Sequence, residues 1–337
     1  MTQNLRMGVA HTQSFEEAIS VNALSSNSYS AHLSSAWSIG DVPHGGYLLA
    51  IAYRAVCTHF RLNHPNRHAG HAAPVSMQLC FLRPSQVGPA RLEVNEAKLG
   101  SRVSTVTVTL SQPGGLKVMG LVTVSNFAEE AGLSAEPERG LDALPHLPPP
   151  QARTTAGQTW ERARIPHPEF RKAPSHVEVH VLAESSSLHR HGTTEQWARL
   201  RWEQQDEPVS GRWTNEAAAF LLDVYPSALA TLESKLQSET GSTSPVWFPT
   251  LTISIDFKKQ LPVDGEEWLH SCVSMMQVKN GRTDIQVVLR DALGQLVALA
   301  SQVGLAMSSG RRRRSEHEKP RVQHLGASPN RPKPARL

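Results

Sequence analysis

The chain has 337 residues, enough for two ordinary domains and a substantial core. Its formal charge is +4, and Arg311–Arg314 alone account for that excess, so the remainder is close to neutral, which argues against a dedicated nucleic-acid surface. The three cysteines, Cys57, Cys80 and Cys272, lie far apart among apolar residues, which argues against a disulfide framework and for a reducing, intracellular compartment. No apolar run reaches membrane-spanning length, and the N-terminus lacks the basic-then-apolar order of a secretory signal.

In chain order, residues 15–24 are spaced as a short helix and 27–39 alternate weakly as a hairpin. The stretch Trp37-Ser-Ile-Gly-Asp-Val-Pro-His44-Gly45-Gly46-Tyr47 then runs into the apolar segment Leu48–Val56. Pro43 resists continuing a ladder, and the paired glycines permit a sharp turn and a close approach before a buried helix. Amide N–H groups at such a helix start have no intrahelical partner and carry partial positive charge. They suit an anion or a carbonyl oxygen gaining negative charge. The same residues are equally consistent with a tight turn that packs a helix on a sheet.

Residues 59–73, with His59, His64, His68, His71 and Pro65, read as a loop. His64, His68 and His71 have spacings a metal could use, but no Cys-x-x-Cys or nearby carboxylate pair completes a site, so neither metal nor other cofactor is expected. Residues 75–82, 91–99, 102–112 and 117–127 alternate as strands, broken by Arg83-Pro84, Gly100 and Pro113-Gly114-Gly115.

Residues 131–175 are rich in Pro, Glu and Arg, include Pro148–Pro150, and lack a sustained apolar period. They read as a linker between a first domain at 12–130 and a second at 176–308. In the second domain 176–182 and 196–202 alternate as strands, 215–222 form a short apolar helix, and strands follow at 250–257, 268–277, 283–290 and 295–307. Residues 309–337 form a basic tail with too few apolar residues to fold. The halves repeat: Phe81-Leu-Arg-Pro84 lies over Phe257-Lys-Lys-Gln260, and Gly100-Ser-Arg102 over Gly281-Arg282. The expected fold is α+β, a double hotdog, in which a long helix wrapped by a curved antiparallel sheet is made twice.

Trp37, Gly40 and His44-Gly-Gly-Tyr47, with Phe81-Leu-Arg-Pro84 and Gly88-Pro89, resemble the first half of the thioesterase-like superfamily related to acyl-CoA thioesterase II. Phe248-Pro249-Thr250 and Asp291-x-x-Gly294-x-Leu296-Val-Ala298 are similar to its second half. His44 and Tyr47 look closer to the fungal and actinobacterial branch of that superfamily than to the bacterial acyl-CoA thioesterases. The resemblance implies an aspartate, a threonine and a glutamine that hold an attacking water. They fall here on Asp223, Thr250 and Gln302, with His44, Gly45, Gly46 and Tyr47 at the oxyanion or substrate-binding turn.

Each of the three also has an ordinary reading. Asp223 sits at the negative end of a short helix, a position that costs a few tenths to about 1 kcal/mol and invites a functional reason, or it simply opens the Tyr225-Pro226 turn. Gln302 shares a strand face with the small residues Ala298, Ala300 and Gly304, which leaves room for a ligand or for a backbone-bonded amide. Thr250 alone is ordinary strand chemistry. Laid on the first half, the three fall near Ala55, Pro74 and Val122, so one of the two pseudo-equivalent sites is expected to be catalytic.

The expected activity is hydrolysis of acyl-CoA or a related acyl thioester by direct water attack, in fatty-acyl or specialised-metabolite metabolism. There is no Gly-x-Ser-x-Gly elbow, and no covalent intermediate is implied. The alternatives are a hotdog hydratase or dehydratase, since Asp41 and His44 are similar to the Asp and His pair of enoyl-CoA hydratases, and a non-catalytic acyl-thioester-binding protein. Ala335-Arg336-Leu337 resembles the Ser-Lys-Leu peroxisomal address, so recognition by the peroxisomal import receptor is expected, with a cytoplasmic location otherwise. A homo-oligomer is expected by analogy.

Overall fold

The computed structural model describes residues 14–135, 160–182, 193–204, 207–241, 243 and 246–308; Pro148–Pro150, Arg311–Arg314 and Ala335–Leu337 lie outside the described residues. Two pseudo-equivalent halves share one antiparallel sheet. The first half contributes Ser28–Leu33, Gly88–Lys98, Ser104–Gln112, Gly115–Ser125 and Ala73–Phe81, in that spatial order. The sheet continues through Thr250–Phe257, Leu296–Leu305, Arg282–Arg290, Leu269–Ser274 and Thr193–Gln204, so the second half repeats the first in mirror order from the seam. At the seam Ile253 pairs with Leu79 and Ile255 with Met77. The expected α+β double hotdog is the fold observed.

Strand alternation explains the core. In Ser104–Gln112, Val106, Val108 and Leu110 face inward and are buried, while Thr105, Thr107 and Thr109 lie half-exposed on the other face. The central helix spans Gly45–Asn63 and is apolar on most of its circumference because the sheet curves around it. It outruns the expected 48–56 segment by nearly two turns at its C-terminal end. His59 is therefore a buried helical residue, not part of a loop.

The second-half helix is not one long rod. It runs Asn215–Leu221, breaks over residues 222–225, and restarts as Pro226–Thr240. Pro226 has no N–H to give to the preceding turn and disfavours helical backbone at Tyr225, so it suits a first helical position but not an interior one. The break exposes Asp223 and Tyr225 to the interior of the sheet.

Two further expectations give way. The short helix at the start covers only Phe15–Ala18, and the hairpin there pairs Asn22–Ala23 with Ser28–Leu33. Part of the segment read as linker is ordered. Trp160–Arg162 is a strand paired with Val177–Leu182, and Lys172–Ser175 is a helical turn. This segment also braces the first half: the Gly40 N–H donates to the Phe170 carbonyl at 2.7 Å, and the rings of Trp37 and His176 lie 4.3 Å apart.

The halves are joined beneath the sheet by an ion pair, Arg54 of the central helix with Glu216 in the first turn of the second-half helix, Nε to Oε2 at 2.7 Å. Burial raises the Glu216 pKa, and the neighbouring guanidinium opposes that rise. Glu216→Gln is expected to lower stability by about 1.5–3 kcal/mol, the range for a hydrogen bond to a charged group. Chemical denaturation of the two proteins checks this.

Candidate active site

Asp223 lies just past the second-half helix, with its backbone N–H donating to the Phe220 carbonyl at 3.1 Å and its carboxylate buried. Its Oδ1 faces the Thr250 hydroxyl at 3.4 Å and the Tyr225 hydroxyl at 3.3 Å. The same two hydroxyls face Gln302 Oε1, Thr250 at 3.3 Å and Tyr225 at 2.8 Å. Gln302 Nε2 donates to the Leu222 carbonyl at 3.1 Å, which orients the amide so that its oxygen points into the group. Each hydroxyl has one hydrogen and two acceptors, so the cluster can shift its bonds to admit a further donor. Asp223, Thr250 and Gln302 are thus brought together from the helix break and two neighbouring strands.

Tyr225 is a fourth member that the sequence reading assigned to a turn. The signal was present: it lies two residues from Asp223 in a non-helical segment, a spacing that can place both side chains on one side. Burial first, and then the adjacent carboxylate, raise its pKa well above the ordinary phenol value, so it remains a neutral donor.

The glycine turn of the first half meets this cluster edge-on. A Cβ on Gly45 would lie 2.6 Å from Asp223 Oδ2, and one on Gly46 would lie 2.4 Å from the Phe220 carbonyl oxygen and 3.0 Å from Asp223 Cβ. Both positions need glycine because the two helices cross in contact there. His44 caps the central helix: its Nδ1 accepts the Gly46 N–H at 3.1 Å and stands 3.5 Å from Asp223 Oδ2. An Nδ1 that accepts cannot also donate, so the imidazole beside Asp223 is neutral with its hydrogen on Nε2. Burial lowers its pKa, against the opposing pull of Asp223.

Two residues of the turn have partners the sequence does not show. The Gly46 N–H is occupied by His44 Nδ1. The Tyr47 side chain is not at the turn's open face. It is fully buried, donates to the Ala18 carbonyl at 2.6 Å, accepts the Ser34 N–H at 3.2 Å and packs against Trp37. Burial pushes its pKa up to about 12. The helix turn that carries Tyr47 points its side chain inward, so only its backbone lies at the glycine turn. Asp41 is exposed in the turn between Ser38–Ile39 and Val42–Pro43, while His44 is buried against Asp223.

The pseudo-equivalent position in the other half lacks this chemistry. Register places Ile253 opposite Gln302 in one half and Met77 opposite Val122 in the other, and the bulge at Thr250/Thr252 is matched by one at Pro74/Ser76. Pro74 and Val122 therefore stand where Thr250 and Gln302 stand, and neither offers a side-chain donor or acceptor.

Comparison with known proteins agrees with the fold. The chain belongs to the acyl-CoA thioesterase family, whose N-terminal domain matches residues 33–125 and whose C-terminal domain matches residues 142–306. It is 27% identical over 337 residues to the thioesterase-like protein TwmA of Talaromyces wortmannii, covering 87% of this chain and 92% of that one. Among solved structures it is similar to acyl-CoA thioesterase II TesB2 from Mycobacterium marinum, with a TM-score of 0.62 and 19% identity over 88% of this chain and 100% of that one. A hot dog fold protein of unknown function from Alicyclobacillus acidocaldarius gives a TM-score of 0.63 and 18% identity over 88% and 99%.

The turn makes two separable demands. Gly45→Ala is expected to displace the Asp223 carboxylate and reduce turnover at least tenfold, whereas Tyr47→Phe is expected to cost about 1 kcal/mol of stability with little change in kcal-scale activation energy. Parallel denaturation and steady-state kinetics separate the two. The pH dependence has a definite sign. A histidine whose folded pKa lies below the ordinary 6.5 takes up its proton in the unfolded chain first, so stability is full above about pH 6.5 and falls on acidification below it. His59 and His68 are shifted in the same direction and add to that slope. Denaturation midpoints between about pH 7.5 and 5.5 are expected to fall, and to fall less steeply in His44→Gln.

Proposed function

We propose that the protein hydrolyses acyl-CoA or a related acyl thioester by direct attack of water. The observation that carries this reading is the convergence of Asp223 and Gln302 on the Thr250 hydroxyl, 3.4 Å from Asp223 Oδ1 and 3.3 Å from Gln302 Oε1, beside the start of the central helix. Family membership supplies the thioester. The geometry supplies a carboxylate, a hydroxyl and an oriented amide for one water.

In the proposed step Asp223 accepts a proton as the water oxygen bonds to the thioester carbon. Thr250 and Gln302 hold the water, and Tyr225 shares its hydroxyl between Asp223 and Gln302 to keep both oriented. The carbonyl oxygen gains charge against a free amide of the first helical turn and the positive end of that helix. Collapse of the tetrahedral adduct breaks the carbon–sulfur bond, and the departing thiolate recovers the proton from Asp223, leaving a carboxylic acid and a thiol.

A second reading has an observation of its own. The Tyr225 hydroxyl, 2.8 Å from Gln302 Oε1, occupies acceptor capacity that the water would use, as a non-catalytic acyl-thioester-binding protein would tolerate. The experiment is release of free thiol from a panel of short- to long-chain acyl-CoAs. Asp223→Asn is expected to lower kcat/KM by about 10² to 10⁴ with folding intact, and Gln302→Ala by a smaller factor. Tyr225→Phe is expected to lower kcat about tenfold if the tyrosine orients the cluster. Acyl-CoA binding without turnover in the wild type, or turnover indifferent to Asp223→Asn, would overturn the hydrolase reading.

A further inference from the structure

The far end of the central helix carries a polar group that thioester chemistry does not use. His59 lies on the last turns of the helix, His64 is its C-terminal cap, and Glu96 reaches them from the strand Gly88–Lys98. His59 Nε2 is 3.2 Å and His64 Nε2 is 2.5 Å from the same Glu96 Oε1, and the three ligand-type atoms lie within 4.8 Å of one another. Thirteen residues of helix separate His59 from Gly46, about 20 Å at 1.5 Å per residue, so the group is remote from Asp223.

The surroundings of His59 are those of a metal-binding imidazole. Its Nδ1 is 3.0 Å from the Tyr29 hydroxyl, and that hydroxyl lies 3.1 Å from the Ser26 carbonyl. Asn63 Nδ2 has two carbonyl acceptors, Ser26 at 2.7 Å and His59 at 3.0 Å, so both its hydrogens have partners without the ring. When Tyr29 donates to Ser26, His59 Nδ1–H donates to Tyr29, and Nε2 presents a lone pair to the Glu96 carboxylate. A cation between the two relieves that meeting of acceptors. Fixing one ring nitrogen so that the other faces a ligand position is the usual role of partners around a metal-bound histidine.

We propose that His59 Nε2, His64 Nε2 and the Glu96 carboxylate bind a divalent cation of the zinc class, tying the C-terminal end of the central helix to the adjacent strand. Two imidazoles and one carboxylate suit zinc better than calcium or magnesium, which favour all-oxygen shells. With bonds of about 2.0–2.1 Å, tetrahedral ligand atoms stand about 3.3 Å apart. The His59–Glu96 distance already matches, the His64–Glu96 distance has to open by about 0.8 Å, and the two imidazole nitrogens, which lie within 4.8 Å of each other, have to settle at about the same spacing. That adjustment is available: the His59 side chain is 3% exposed and anchored, whereas His64 and Glu96 are 20% and 36% exposed. Three protein ligands leave one tetrahedral position for water. His68 is not part of the group: its Nε2 pairs with the buried Ser104 hydroxyl at 3.1 Å.

The test uses untagged full-length protein treated with chelator, then titrated with Zn(II) by calorimetry and followed by thermal unfolding, with Co(II) as a visible-absorption probe of tetrahedral geometry. One saturable equivalent and a raised unfolding midpoint are expected. Glu96→Gln and His64→Gln are each expected to weaken binding more than about 100-fold, and Tyr29→Phe, which removes only the outer partner, by about 10- to 100-fold. His64 and Glu96 are solvent-reachable, so both variants keep the fold in which binding is read. Absence of saturable binding at about 100 μM Zn(II), or binding unchanged in both ligand variants, would overturn the proposal and leave a hydrogen-bonded His–Glu–His group.

Discussion

The structure depends on one close crossing, where the glycine turn that starts the central helix touches the carbonyl and carboxylate that end the second-half helix. Any side chain at Gly45 or Gly46 would collide with Asp223 or with the Phe220 carbonyl. Around that crossing the aromatic rings of Phe15, Trp37 and Phe220 interlock, with Trp37 4.9 Å from Phe15 and 5.4 Å from Phe220. The crossing sets the positive end of one helix against the carbonyl and carboxylate presented by the other.

Duplication gives the two helices a second meeting point, which the chain uses differently. Beneath the sheet, the start of the second-half helix meets the middle of the central helix as Glu216 against Arg54, an ion pair that fills the space. At the other crossing Asp223 faces His44 rather than an arginine, and that imidazole is held neutral by burial and by the Gly46 N–H. The halves share a backbone plan, down to matching bulges at Pro74/Ser76 and Thr250/Thr252, and differ in which side chains the plan presents.

Much of this was legible in the sequence because it is written in local patterns. Strand alternation, glycine and proline punctuation, and the order of turns in the two halves suffice for the double hotdog. Asp223, Thr250 and Gln302 stood out through the family resemblance, since each alone has an ordinary explanation. What was not legible depends on three-dimensional direction. Tyr47 follows two glycines in a motif that suggests exposure, yet one turn of helix swings it into the core. Gly46 looks like a free donor until His44 folds back over it. His59 reads as part of a polar loop because Pro65 and four histidines dominate its neighbourhood, although the apolar spacing of Val56 and Phe60 continues the helix through it. Glu96 is 32 residues from His64 in sequence, and only strand pairing reveals their contact. The strand Trp160–Arg162 was hidden in proline-rich surroundings because three residues are too few to show a period.

The seam of the sheet has a consequence for how the protein comes into being. Leu79 and Ile253 are neighbours across it, yet roughly 170 residues of chain separate them, and contacts of such long range are slow to form because the loop they close is entropically costly. Until that pairing is made, each half carries an open strand edge, the kind of surface on which unfinished chains stick to one another. The glycine turn belongs to the early-synthesised half and Asp223, Thr250 and Gln302 to the later one. The candidate active centre is therefore complete only once both halves have been made and their edges joined at the seam.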